Sequence, residues 1–198
     1  MAALGAATLL VAAQGCSEIT ISAPDGSLVV ANSVEAGNMP YDYYASPARR
    51  GEVHGGHEAG CLEFTAKYGF IAGMNEVGLG VNGHALDLAV FQQPDPSLPT
   101  LCKSDFEHWA LGMHATVAEV VAALRGVRLV GGKGGQWGLH DATGASAVIE
   151  YVKGELTAHN NTVGRNNSGI GLMTNDPTWG MPICGSSPGL ADGCLVGY

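Results

Sequence analysis

From Ser17 to Ser22 (SEITIS) polar and apolar side chains alternate, the two-residue period of a strand with one face buried. Pro24-Asp25-Gly26 supplies a turn, and Ser27 to Asn32 is β-branched enough to return antiparallel, so a hairpin is predicted directly after residue 16. Phe64 to Ile71 and Leu79 to Leu88 carry further strand patterns on either side of a turn at Gly73-Met74-Asn75-Glu76-Val77-Gly78. The period then changes. Gln92 to Thr100 (QQPDPSLPT) interrupts regular structure, and Leu101 to Leu111 can begin a helix. Thr116, with Glu119 three residues on, reads as a capping box for a helix whose apolar face is Val117, Val120, Val121 and Leu124, ending at Gly126. Strand patterns resume with WGLHD, a turn at Ala142-Thr143-Gly144, SAVIEYV, a turn at Lys153-Gly154, and ELTAH. Residues 37–60 are rich in Gly, Pro and Tyr and read as a long loop or irregular strand, and the stretch Pro177 to Tyr198, also rich in Gly and Pro, shows no closing element, which fits either a tail or a fold that continues beyond it.

Strands, then helices, then strands predict an α+β fold with antiparallel sheets rather than an alternating βαβ arrangement. The 198 residues and 46% apolar content suit one domain with a sizeable core, and 30 glycines with only 14% charged residues favour short strands and tight turns over a helical bundle. Net charge is −9, and the nine Lys and Arg form no stripe that could follow a phosphate backbone, so no nucleic-acid partner is expected.

Ala2 to Ala13 is an apolar run of signal-peptide length, too short to span a bilayer, and Ala13-Gln14-Gly15 places small residues where a signal peptidase reads. The organisation predicted is a signal peptide over residues 1–15, without the basic start of a full leader, and one domain over 16–198, secreted or periplasmic, with no stable membrane span. The cut would leave Cys16 as the first residue. An N-terminal cysteine carries a thiol and an α-amine on one Cα, and the amine, with a reference pKa of about 8, can take the thiol proton. A Gly immediately before the cysteine also fits a lipoprotein signal, in which Cys16 would be acylated. Cys61, Cys102, Cys184 and Cys194 are then an even set, open to two disulfides in any of three connectivities or to four buried thiols. No CxxC pair is present, and His54-Gly-Gly-His57 beside Glu52 and Glu58 lacks a third fixed ligand, so neither metal nor other cofactor is predicted.

Five segments, CSEITISAPDGSLVVANSVEAG (16–37), TAKYGFIAGMNEVGLGVNG (65–83), ATVAEVVAALRGVRLV (115–130), LHDATGASAVIEYVKGELTAH (139–159) and GLMTNDP (171–177), resemble in order the choloylglycine hydrolase family, which comprises bile salt hydrolases and penicillin V acylases. The resemblance implies an N-terminal-nucleophile (Ntn) hydrolase, an αββα sandwich of two antiparallel sheets between helical layers, acting on a small-molecule amide and often assembling as a homo-oligomer. It makes Cys16 the nucleophile, Glu35 the carboxylate that orients its amine, and Asn175 in MTNDP an oxyanion donor whose amide NH₂ donates without carrying charge. Taken alone, Asn175 reads as a turn residue before Asp-Pro.

The chain departs from the family pattern in three places. Asn32 and Glu35 stand where the family has Arg and Asp; Glu keeps the carboxylate, whereas an amide in place of a guanidinium removes a charge that would favour the thiolate. Ala85 aligns with a family Asn or Tyr, and Asn82 is the neighbouring amide that can stand in for it. His84, alone in a strand pattern, reads as a packed imidazole rather than a base. The family also continues past residue 198 with a late arginine and closing strands. Among acyl groups, Tyr41, Tyr43 and Tyr44 favour an apolar or aromatic one. The competing expectation is a catalytically inactive Ntn-like protein that binds small amphipathic ligands, or a lipoprotein anchored at Cys16.

Overall fold

A computed structural model describes residues 16–23, 25, 27–33, 47–132, 134–163 and 171–175, together with the backbone of 182–183 and 195–196. Its elements are β1 (Ser17–Ser22), β2 (Leu28–Ser33), β3 (Val53–Gly55), β4 (Glu63–Thr65), β5 (Phe70–Ile71), β6 (Met74–Asn75), β7 (Gly80–His84), β8 (Thr100–Cys102), α1 (Phe106–Met113), α2 (Val117–Ala123), β9 (Arg128–Val130), β10 (Gln136–His140), β11 (Ser146–Val152), β12 (Glu155–Asn160), β13 (Leu172–Thr174), β14 (Pro182–Ile183) and β15 (Leu195–Val196). Two antiparallel sheets dominate, one in the order β13-β1-β2 and one in the order β12-β11-β10-β7-β6-β5.

The predicted hairpin forms with Ser17 opposite Ser33 and Ser22 opposite Leu28, and Asp25 closes its turn by accepting from the Ser27 amide at 2.9 Å. The β10-β11-β12 meander follows the predicted turns, the second on Lys153 and Gly154 at φ 54° and 81°, a left-handed pair that matches the twist of the strands it joins. Asp141 fixes the first turn and the start of α2 together. It accepts from the amides of Thr143 and Val117 at 2.8 and 2.9 Å; burial pushes its carboxyl up, but these hydrogen bonds outweigh that and hold it below its usual value.

At α2 the Thr116 hydroxyl accepts from the Glu119 amide at 3.2 Å, as predicted, while the Glu119 carboxylate reaches one residue further back, to the Ala115 amide at 2.7 Å. In α1, Phe106, Trp109 and Ala110 at i, i+3 and i+4 turn inward and join Val117, Val120 and Leu124 against Leu79, Val81, Trp137, Leu139, Ile149 and Tyr151 of the six-stranded sheet. The apolar core is this helix-on-sheet layer.

Several sequence expectations are corrected. The strand expected over 64–71 splits into β4 and β5, because the amides of Lys67 and Tyr68 turn aside to the Gly112 carbonyl at the end of α1. The strand expected over 79–88 stops at His84, and the expected turn at 73–78 holds β6. A parallel pair, β8 with β9, and the short β13 appear where no strand was predicted. Within the segment expected as a long loop or irregular strand, Val53–Gly55 pairs with β4. Cys61 and Cys102 form a disulfide across 41 residues, so this pair of the four cysteines is oxidised; Cys184 and Cys194 lie outside the described residues. Among the described residues no helix is long and apolar enough to cross a membrane.

Candidate active site

Cys16 sits half-buried at the head of β1 with a free thiol. Side chains on a strand alternate, so Cys16 shares a face with Glu18 and Thr20, both buried, and that face looks onto the six-stranded sheet. Contacts between the sheets set their mutual register. Thr20 Oγ1 lies 3.5 Å from His140 Nδ1, and Glu18 Oε2 accepts from Asn82 Nδ2 at 2.7 Å while its Oε1 lies 2.8 Å from His140 Nε2. Within the sheet, His140 is opposite Gly80, Gly138 opposite Asn82, and Gln136 opposite His84. Two residues back along β1 therefore correspond to two residues on along β7, and the next step in the series sets Cys16 against His84 and Gln136. Gly138 leaves room for this carboxylate: a Cβ at that position would stand 2.5 Å from Glu18 Oε1 and displace it.

The same end of the sandwich receives Asn175. β13 pairs with β1 so that Thr174 is opposite Ser17, and the Gln136 side-chain amide donates to the Thr174 carbonyl, tying β13 to β10. One residue on, Asn175 Nδ2 donates to the Ala85 carbonyl at 2.8 Å, and its Oδ1 is buried without a partner among the described residues. A cavity of about 610 Å³ opens at these strand ends, lined among others by His84, Asp87, Lys103, Glu107, Gln136 and Trp137. Burial pushes the Glu107 carboxyl up against the opposing hydrogen bond from Trp137. Lys103 is held by the Gly134 carbonyl, with its ammonium 5.3 Å from the Phe91 ring centre. The His84 ring is pushed by burial toward its neutral form; the Glu18 charge and the Cys16 backbone act in the opposite direction.

Of the residues singled out in the sequence, Cys16 and Asn175 come to one end of the fold. Asn82, expected as an oxyanion donor, donates from its amide to Glu18. Asn32 is exposed on β2, opposite Glu18 in the ladder, and brings no charge to the thiol. Glu35, Tyr41, Tyr43 and Tyr44 lie outside the described residues. His54 turns inward onto Phe64, Phe70 and His108, while His57 stays exposed. Glu58 approaches Cys61 and Cys102 at ligand spacing, but their sulfurs are bonded to each other. Sequence reasoning missed Glu18, His140 and Gln136; the signal for Glu18 was its parity with Cys16.

Two antiparallel sheets face to face, with helices packed on one of them, are the fold of the Ntn-hydrolase class. The model of the linear amide C-N hydrolases, choloylglycine hydrolase family, matches residues 50–184, and the chain belongs to that family. No curated protein matches the sequence. Penicillin V acylase from Agrobacterium tumefaciens superposes with a TM-score of 0.66 at 24% identity, over 83% of this chain and 53% of that one. A variant of conjugated bile acid hydrolase from Clostridium perfringens gives 0.62 at 24%, over 83% and 54%. Another mutant of that hydrolase gives 0.63 at 21%, over 91% and 63%. The chain thus spans between 53% and 63% of the length of these structures. At this identity the likeness is one of fold.

Proposed function

We propose that this protein hydrolyses a linear carbon–nitrogen amide of a small molecule, with Cys16 as nucleophile. The observation that supports the reading is the pairing of β1 with β13, Ser17 opposite Thr174, which brings the free thiol at the head of β1 and the Asn175 amide to the end of the sandwich where a cavity of substrate size opens. The thiolate adds to the amide carbonyl, the tetrahedral oxyanion is met by the Asn175 NH₂, and the amine leaves. In this reading residues 1–15 are a leader removed on export and the freed α-amine assists the thiol, oriented by Glu35. The substrate classes that fit the family are conjugated bile salts and phenoxyacetyl-type penicillins.

The test is turnover of a conjugated bile salt and of a phenoxyacetyl penicillin, followed as released amine, together with the intact mass of the purified protein. Wild-type protein beginning at an unmodified Cys16 is expected to cleave one class, and Cys16→Ala to lose at least a thousandfold in kcat/KM. Undiminished cleavage by Cys16→Ala overturns the reading, and a diacylglycerol mass increment on Cys16 replaces it with an anchor. A second reading, a silent Ntn-like protein that binds small amphipathic ligands, draws on Asn32 in place of a guanidinium and on the Asn82 amide engaged by Glu18. Saturable ligand binding with no amine released would favour it.

A further inference from the structure

Among the described residues, Glu58, Cys61 and Cys102 are the one set of three metal-ligating side chains whose donor atoms all lie within 4.8 Å of one another. They meet because backbone hydrogen bonds, and not the disulfide alone, bring their segments together. Glu58 and Cys61 end a tight turn, closed by the Cys61 amide donating to the Glu58 carbonyl at 3.0 Å. Leu62, next in the chain, donates to the Thr100 carbonyl at 2.7 Å, and Cys102 pairs with Val130 in the β8–β9 ladder. Ser104 Oγ donates to Glu58 Oε1 at 3.5 Å, a further tether between the two segments. Opening the sulfur–sulfur bond therefore leaves both of its halves in place.

We propose that this corner of the fold is a redox-gated site for a thiophilic divalent cation such as Zn²⁺ or Cd²⁺, closed while Cys61 and Cys102 are joined and opened when they are reduced. Two thiolates and one carboxylate favour such ions over Ca²⁺ and Mg²⁺, which seek oxygen. Around a tetrahedral zinc, with Zn–S about 2.3 Å and Zn–O about 2.0–2.2 Å, neighbouring ligand atoms stand roughly 3.5–3.8 Å apart. Donor atoms already confined within 4.8 Å reach that spacing by side-chain rotation, with solvent in the fourth position. Cys102 is 6% exposed and Cys61 half-buried, so bound sulfur is screened from water, while exposed Glu58 leaves a path of entry.

The gate is thiol–disulfide exchange. Two molecules of a small thiol cleave the bond, leave as their own disulfide and deliver one proton to each protein sulfur. The cation then bonds to both sulfurs and to a Glu58 oxygen as the two thiol protons pass to solvent. The site stands apart from the hydrolase reading, although Lys103 and Ser104, directly after Cys102, line the 610 Å³ cavity, so a metal held here braces one of its walls.

The experiment reduces the whole protein with dithiothreitol, removes the reductant, and follows alkylation of Cys61 and Cys102 by N-ethylmaleimide with and without Zn²⁺. Mass is read on the peptides that contain these two residues, so the other cysteines do not contribute. Zn²⁺ is expected to slow both together by about tenfold or more, since the free thiolate is the species that alkylates, and Mg²⁺ to leave them unchanged. Glu58→Gln is expected to raise the Zn²⁺ concentration required by at least about tenfold, the scale on which even a ligand's outer partner matters. Folded, reduced protein in which either cysteine keeps its metal-free rate at about 100 μM Zn²⁺ overturns the inference. Equal protection by Mg²⁺, or protection of Glu58→Gln at the wild-type Zn²⁺ concentration, overturns it as well. Should reduction cost the fold, circular dichroism decides: Zn²⁺ that restores the native signal to reduced wild type and not to Cys61→Ser supports the site. A chain that stays unfolded, or a Cys61→Ser that refolds equally, overturns it. No amide substrate enters any of these measurements, so failure here leaves the hydrolase reading as it stands.

Discussion

The two faces of the six-stranded sheet are built from opposite materials. Toward the helices, Val81, Trp137, Leu139, Ile149 and Tyr151 close over Phe106, Trp109 and Val120 in an apolar layer. Toward the three-stranded sheet the alternate residues are Asn82, His84, Gln136, His140, Ser146 and Glu150, with buried Val148 the apolar exception, met by Glu18 and Thr20. The three-stranded sheet is inverted to match, with its polar set inward and Ile19, Ile21, Val29 and Leu172 exposed on its far side. The difference assigns two jobs to one sheet. The dry face supplies the burial free energy, and the wet face holds the chemistry, where each buried polar group needs a partner and contributes little net stability.

The largest test of that division removes Phe106, fully buried with its ring centre 4.2 Å from that of Trp137. Phe106→Ala is expected to cost about 3–5 kcal/mol in denaturant unfolding. A loss below about 1 kcal/mol would mean that the helix layer is not the core.

An acid titration sharpens the same point at the end of α1. His114 stacks edge-on against Trp109, and burial pulls its ring down to about 4. The unfolded chain therefore takes up a proton between the ordinary histidine value of about 6.5 and about 4 that the folded chain refuses, so stability falls as pH falls through that window and is level above it. The expected loss from pH 7 to 5 is about 1 kcal/mol after allowance for the ring's partial exposure, some 2–4 °C in Tm, and His114→Gln should remove it. An acid dependence that survives in His114→Gln would place its source in the wet layer.

The smallest effect belongs to the far side of the three-stranded sheet. Ile21 is 52% exposed, and Ile21→Thr, which keeps the β-branch, should change stability by no more than about 0.5 kcal/mol. A loss above about 1.5 kcal/mol would show that this apolar face is covered in solution.

Elements that satisfy local rules were legible in the sequence. The β1–β2 hairpin, the helix after Thr116 and the β10–β12 meander each carry their own turn residues and period. β8 and β9 are held by one another across a span that includes both helices, and β13 by β1, so neither has a local signal. Of the site, Cys16 was legible from its place after an apolar leader and Asn175 from its motif. Glu18 was hidden by a general rule, since alternation ordinarily turns the isoleucines of SEITIS inward, and here the carboxylate goes in because His140, Asn82 and a side-chain-free Gly138 are waiting for it.

That carboxylate hangs two residues from the sulfur and is fastened to the opposite sheet. Any loosening that parts the sheets must drag the attacking atom out of line in the same motion, whatever the helices are doing. Thiol reactivity would then vanish ahead of helical signal on a denaturant ramp, a gauge for the opening of the sandwich read from one atom.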